Sequence, residues 1–249
     1  MREIILQELR KIEEQENVKI IMAIESGSRA WGFASPDSDY DVRFIYVRKE
    51  SDYLKLEKFR DVIEWKLDDV LDINGWDIRK ALQLLHNSNP TVFEWCASPI
   101  VYMETEEFAW LKGILPMYFS EKKSMHHYWH TADSTYRDHL TGDEVKAKKY
   151  FYALRPILAA KWILDKKTAP PMLFEELMEA ELEEELKPEL DHLLTLKKTL
   201  PEIGLVSKIP VIDVYIQQKM SEIKALAEES EGKVSEWDAL NELFLKMVK

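Results

Sequence analysis

Apolar residues recur along this chain with two periods, and the change from one to the other divides it. Ile5, Leu9 and Ile12 fall at the spacing that gathers side chains on one helix face, so residues 2–16 read as an amphipathic helix covering a sheet. The β-branched run VKIIMAIES from Val18 ends in a Ser-Gly-Ser turn, and YDVRFIYV, DVIEWKL and VLDIN read as three further strands. Gly75 interrupts this pattern, and Asp77 stands at the N-cap of a helix through IRKALQLLHNS. After about residue 105 the helical period takes over in EEFAWLKGILPMYF, EVKAKKYFYALRPILAAKWILDK, FEELMEAELEEEL, IPVIDVYIQQKMSEIKALAEE and SEWDALNELFLKMV. The expected architecture is α+β: a mixed-sheet domain over residues 1–115, then an all-helical domain over residues 116–249 lining a shared substrate cleft.

Composition narrows the class. At 249 residues, 46% hydrophobic with eight tryptophans, the chain can bury a sizeable core. Cys96 is the only cysteine, which excludes an intrachain disulfide scaffold and makes the cytoplasm the expected compartment. The N-terminal segment is charged throughout, and no stretch approaches the ~20 apolar residues of a membrane span. A net charge of −12 argues against general affinity for nucleic acid but leaves room for a local basic groove. A phosphorylated substrate would need local positive charge or a metal. The acidic run EELMEAELEEELKPEL reads as a solvated helix face.

The chemistry concentrates in ESGSRAWGFASPDSDYDVRFIYV, residues 25–47. Strand alternation puts Asp39, Asp41 and Arg43 on one face, with the two aspartate α-carbons ~7 Å apart. Unpaired carboxylates so close would repel in a partly buried cleft, an objection that a divalent cation removes. Gly27 and Gly32 let the preceding backbone turn sharply and approach a ligand, the Ser28 hydroxyl is available to phosphate oxygens, and Arg29 adds a charge. The Gly-Lys-Ser/Thr ending of a Walker loop and the Gly-x-Gly-x-x-Gly of dinucleotide folds are both missing. Arg43 reads equally as a phosphate contact or as a partner of Asp39 or Asp41.

Gly-Ser, about ten residues, then Asp-x-Asp in an apolar strand resembles the signature of the DNA polymerase beta nucleotidyltransferase superfamily, matched here by GSRAWGFASPDSDYDV from Gly27 to Val42. More narrowly, this segment with DINGWDIRKALQLLHNSNPTVFEWCASPIVY and KKYFYALRPILAAKWI resembles predicted bacterial nucleotidyltransferases of the YcgL type, related to the RNA-ligase-associated predicted nucleotidyltransferases. The resemblance spans most of the first 165 residues and thins beyond them. It implies an NTP donor, two Mg²⁺ ions or Mn²⁺ in their place, and transfer of a nucleoside monophosphate with release of pyrophosphate. Asp39 and Asp41 would be metal ligands, as hard cations require. A third carboxylate is implied on a neighbouring strand. Asp72 is preferred over Asp77, which a capping role already explains, with Glu64 and Asp69 as outsiders. The acceptor is an RNA end, a protein hydroxyl or a small molecule such as an aminoglycoside.

Three other features carry possible chemistry. Lys148, Tyr152 and Arg155 fall in one helical stripe suited to holding a triphosphate and stacking a base. His126 and His130 lie one helical turn apart and Asp133 extends their stripe, but no further ligand completes a zinc motif. Cys96 sits among apolar residues and reads as a small buried hydrophobe. The rival to an enzyme is a non-catalytic nucleotide-sensing or interaction module that keeps the fold.

Overall fold

The structure, a computed structural model, describes residues 1–68, 70–199 and 205–249. The first half runs α1 (Arg2–Glu16), β1 (Lys19–Glu25), the one-turn α2 (Gly27–Ala30), β2 (Tyr40–Val47), the one-turn α3 (Glu50–Tyr53), β3 (Val62–Leu67), β4 (Leu71–Asp77), α4 (Ile78–His86), α5 (Pro90–Cys96), β5 (Val101–Glu104) and α6 (Glu106–Tyr118). The second half follows with α7 (Glu121–His139), β6 (Glu144–Lys146), α8 (Lys148–Lys166), α9 (Phe174–Glu181), a 3₁₀ turn (Glu184–Leu186), α10 (Lys187–Thr199), β7 (Leu205–Ser207), α11 (Pro210–Glu229) and α12 (Asp238–Val248). Among the described residues no helix is long and apolar enough to cross a membrane.

The chain forms two compact units: residues 1–30, 39–118 and 234–249, and residues 31–38 and 119–233. The cut expected at 115/116 lies close to the passage at 118/119, but two segments cross it, so neither unit is one continuous stretch.

In the first unit the sheet order is β3-β4-β2-β1-β5. β1 is antiparallel to both β2 and β5, β3 is antiparallel to β4, and β2 and β4 run parallel. The three helical positions read from the sequence, Ile5, Leu9 and Ile12, are fully buried in one cluster with Ile20, Val42, Phe44, Tyr46, Ile63 and Ile73. Burial of such side chains, about 1.5–3 kcal/mol each, clamps α1 to the sheet. β1 is buried at every residue after Lys19, whereas β4 alternates between buried and half-buried. The C-terminal helix α12 belongs here because its apolar side, Leu240, Leu243 and Met247, is buried where it packs against α4 and α6. Trp237, just ahead of it, stacks on His86 with ring centroids 3.6 Å apart, and Lys246 Nζ lies 3.3 Å from the Trp110 ring.

The second unit is built around α8, which is buried almost throughout and packs against α7, α9 and α11. Phe33 is drawn into this core, its ring 5.2 Å from Phe151 and 5.5 Å from Phe174, which is why residues 31–38 leave the first unit. Buried Lys197 secures the same segment, donating to Ser35 Oγ at 2.9 Å. Two helical expectations need correcting. Glu144–Lys146 is not the start of α8 but a strand pairing with Leu205–Ser207, Val145 opposite Val206, so the unit is not all-helical. FEELMEAELEEEL is not one helix: Leu182 turns extended to bury its side chain, and Lys161 pairs with Glu183 at 2.9 Å just beyond.

Candidate functional site

The parallel register of β2 and β4 sets Asp41 directly opposite Asp72 and Arg43 opposite Asn74. Partners in neighbouring strands lie ~4.8 Å apart and project to the same face, so two carboxylates and a guanidinium converge from two strands. Arg43 Nη2 donates to Asp41 Oδ1 at 3.0 Å and to Asp72 Oδ2 at 2.7 Å. Its Nη1 donates to the carbonyls of Val42 at 3.0 Å and Asp72 at 3.2 Å. Of the two roles open to Arg43, the structure displays the carboxylate partner. Asp72 Oδ1 is buried with no hydrogen-bond partner among the described residues. Burial pushes the Asp41 carboxyl above its ordinary pKa; Arg43 opposes this, and the neighbouring charges of Asp72 and Asp39 add to it.

The glycine-serine turn closes on the same carboxylate. Gly27 holds φ at +60°, and a β-carbon placed there would sit 2.0 Å from Asp41 Oδ2. Only glycine permits both the left-handed backbone and that approach. Ser26 N–H donates to the Asp41 carbonyl at 2.8 Å, tying the turn to β2. Ser28 is half-buried beside it. Arg29 donates from Nε to the Asp39 carbonyl at 3.0 Å and lies 3.7 Å over the Tyr40 ring. Asp39 itself is exposed and stands one residue ahead of β2, with no ion pair among the described residues. Gly27, Ser28, Arg29, Asp39, Asp41 and Asp72 therefore share one corner of the first unit.

The sequence reading missed Glu25. It is fully buried at the end of β1; its Oε1 accepts the Asp41 N–H at 2.7 Å, its other carboxylate oxygen accepts from the Tyr102 hydroxyl, and its carbonyl accepts from Ser98 Oγ at 2.6 Å. Burial raises its pKa, against the two hydrogen bonds that favour the anion. The available signal was an acid closing a β-branched run immediately before the turn.

Asp77 has a different occupation. It is fully buried, accepts the Arg79 N–H at 2.8 Å as the cap of α4, and accepts from the Tyr53 hydroxyl at 3.0 Å. The register places it opposite Tyr46, and strand alternation turns it to the face away from Asp72. Glu64, on β3, stands opposite Asn74 of β4 in the sheet register, and Asp69 lies outside the described residues.

The donor set of Asp39, Asp41 and Asp72 is all carboxylate oxygen, and the orphaned Asp72 Oδ1 and the raised Asp41 pKa both favour an added cation. A hard divalent ion such as Mg²⁺ fits these residues. They are not already drawn together as a ligand set, and no such trio of His, Cys, Asp or Glu exists among the described residues. The reason is local: Arg43 bridges Asp41 and Asp72, and Asp39 is exposed one residue ahead of the strand. Among the described residues no third ligand joins His126 and His130, and Asp133 pairs with Arg137 at 2.9 Å.

The stripe on α8 lies in the second unit. Arg155 is 3% exposed, stacked 4.7 Å from the Trp31 ring and donating to the Met172 carbonyl at 3.3 Å. Tyr152 meets Trp31 edge-on at 5.4 Å, and Lys148 is half-buried. Burial pushes the Cys96 thiol up to about 12, so it stays protonated at neutral pH.

Residues 1–246 match the family described as RlaP, RNA repair pathway DNA polymerase beta family. The uncharacterized protein YcgL of Bacillus subtilis (strain 168) is 46% identical over 252 residues, covering 100% of this chain and 97% of that protein. A nucleotidyltransferase-like protein from Exiguobacterium sibiricum 255-15 is 14% identical, with a TM-score of 0.32 over 89% of this chain and 74% of its own. With the family matched over nearly its whole length and a full-length relative at this identity, the chain belongs to the RNA repair pathway DNA polymerase beta family.

Proposed function

We propose that the chain is a metal-dependent nucleotidyltransferase that moves a nucleoside monophosphate from an NTP to a hydroxyl, with an RNA end as the acceptor. The observation that carries the reading is the register of Asp41 against Asp72, with the Gly27 turn pressed on the same carboxylate. The RNA end is taken from the family description, since composition does not select it.

Asp39, Asp41 and Asp72 are the residues that would hold Mg²⁺, which when bound neutralises the charge gathering on the phosphate oxygens during in-line displacement. Ser28 donates its hydroxyl to a phosphate oxygen of the NTP. Asp72 accepts a hydrogen bond from the acceptor hydroxyl and aligns that oxygen with the α-phosphorus. The new bond joins the acceptor oxygen to the α-phosphorus, the bond to the bridging oxygen of pyrophosphate breaks, and the hydroxyl proton passes by way of Asp72 to solvent. Glu25 fixes the Asp41 backbone from behind.

The test incubates the full chain with each labelled NTP, Mg²⁺ or Mn²⁺ and RNA bearing a free 3′ hydroxyl. It is run beside protein and small-molecule fractions of a cell extract, and beside Asp41→Asn and Asp72→Asn. Label on the RNA that both variants lose supports the proposal. Equal pyrophosphate release in native and variant proteins overturns it. NTP binding without turnover in any fraction would establish the non-catalytic rival.

A further inference from the structure

Arg43 stands where the proposed reaction needs a metal ion. Its guanidinium is within 3.0 Å of Asp41 and 2.7 Å of Asp72, and all three side chains are part-exposed, at 19%, 32% and 28%. The bridge is anchored, because the other end of the guanidinium is held by two main-chain carbonyls, those of Val42 and Asp72. It is also incomplete. Asp72 Oδ1 is left buried without a partner, and Asp39 is left without an ion pair among the described residues. One positive charge therefore answers two carboxylates of a set of three.

We propose that Arg43 is a resting counter-ion: it holds Asp41 and Asp72 side by side in the metal-free protein and must release them before a divalent cation can use the same oxygens. A guanidinium and a dication cannot share those oxygens without strong mutual repulsion. Entry of the cation is then opposed by Arg43 and helped by any anion that takes Arg43 in exchange. The triphosphate of the NTP is such an anion, since arginine can pair with phosphate oxygens through two parallel N–H groups, whereas here Nη2 alone reaches the two carboxylates. Metal alone binds weakly, and metal with nucleotide binds tightly, so the site stays closed to free cations. This inference rests on the metal-dependent reading above, but concerns binding rather than turnover.

The test titrates the full-length protein with Mn²⁺, following free ion by its electron paramagnetic resonance signal, with and without the non-transferring analogue α,β-methylene-ATP. In the native protein the analogue should tighten Mn²⁺ binding by about tenfold or more, a normal size for coupling between two ligands. Arg43→Gln should bind Mn²⁺ alone about tenfold more tightly than native, with the effect of the analogue correspondingly reduced. Should R43Q not melt cooperatively, Arg43→Lys serves instead. It keeps the charge as a single point, gives up the two carbonyl contacts made by Nη1, and should show an intermediate Mn²⁺ affinity. Equal or weaker Mn²⁺ binding in a folded R43Q, or native affinity in R43K, overturns the proposal. Mn²⁺ binding that survives in the Asp41→Asn, Asp72→Asn double variant overturns the metal site itself, a separate result.

Discussion

Gly27→Ala tests whether the turn and the carboxylate act as one unit. The new β-carbon would fall 2.0 Å from Asp41 Oδ2 and 2.9 Å from its Cγ, whereas ordinary contact begins at 3.4 Å. The carboxylate must therefore retreat by about 3.4 − 2.0 = 1.4 Å, or the turn must lift by as much. The left-handed φ adds about 1–2 kcal/mol for any residue with a β-carbon. Gly32→Ala is the matched control, since Gly32 also holds a positive φ, +85°, but its new β-carbon would meet only the flexible Leu173 side chain, at 3.2 Å. Both variants should lose a few degrees of melting temperature, roughly 2–4 °C per kcal/mol for a chain of this size. Only G27A should also lose nucleotidyl transfer, by roughly 10²-fold, because reacting groups misplaced by about 1 Å lose alignment on that scale. The assay is pyrophosphate release under saturating NTP and metal, with thermal melts on the same preparations. Equal activity losses in the two variants, or G27A within about threefold of native, would refute the link between the turn and Asp41.

Other outcomes follow from the same geometry. Asp72→Asn should abolish transfer, whereas Asp77→Asn should leave it measurable, because asparagine also caps a helix; transfer lost equally in both would reopen the choice between them. Burial raises the Asp77 pKa above 3.8, so its contribution to stability is intact below that value and is lost as pH rises through the folded pKa. D77N lacks that loss, so the melting temperature of D77N minus that of native should increase between pH 4 and pH 7; a constant or shrinking difference contradicts the assignment. Glu25→Ala strips the Asp41 N–H and the Tyr102 hydroxyl of their buried acceptor and should cost about 2–4 kcal/mol in urea unfolding, most of it recovered by Glu25→Gln.

The local chemistry was legible because it depends on near neighbours. Gly27, Ser28, Asp39 and Asp41 lie within fifteen residues, and period-two alternation put Asp41 and Arg43 on one face, whereas Asp39, expected with them, stands one residue ahead of β2. What escaped the sequence was set by partners far along the chain. Asp72 is reached only through the family resemblance: the parallel pairing that brings it to Asp41 joins strands separated by the whole of β3, and neither strand carries a local mark of its neighbour. The same holds for Phe33, an apolar residue in a loop whose partners on α8 and α9 lie more than a hundred residues on, and for α12, whose amphipathic pattern shows that it packs but not on which unit. Leu205–Ser207 is too short a strand to have a period. Arg43 was visible as a charge, but its bridge needed both aspartates to be placed first.

For the proposed reaction, the charges in this corner also constrain the order of events. Glu25, Asp39, Asp41 and Asp72 set four carboxylates against the two guanidiniums of Arg29 and Arg43, a balance of −2 when all are ionised. The chain as a whole adds to the repulsion at −12. A bare triphosphate approaching this corner meets like charge, and Arg29 is already committed to the Asp39 carbonyl and the Tyr40 ring. A free divalent cation is attracted to the corner but finds its oxygens bridged. The species that meets neither barrier is the metal–nucleotide complex, which brings cations for the aspartates and phosphate oxygens for Arg43 at once. The carboxylates are thus unmasked only when the donor is present. Initial-rate measurements should accordingly follow the concentration of the complex, with excess free triphosphate inhibitory and excess free Mg²⁺ nearly neutral. Activation by free Mg²⁺ at fixed complex, with no inhibition by free triphosphate, would show that the cation enters first and alone.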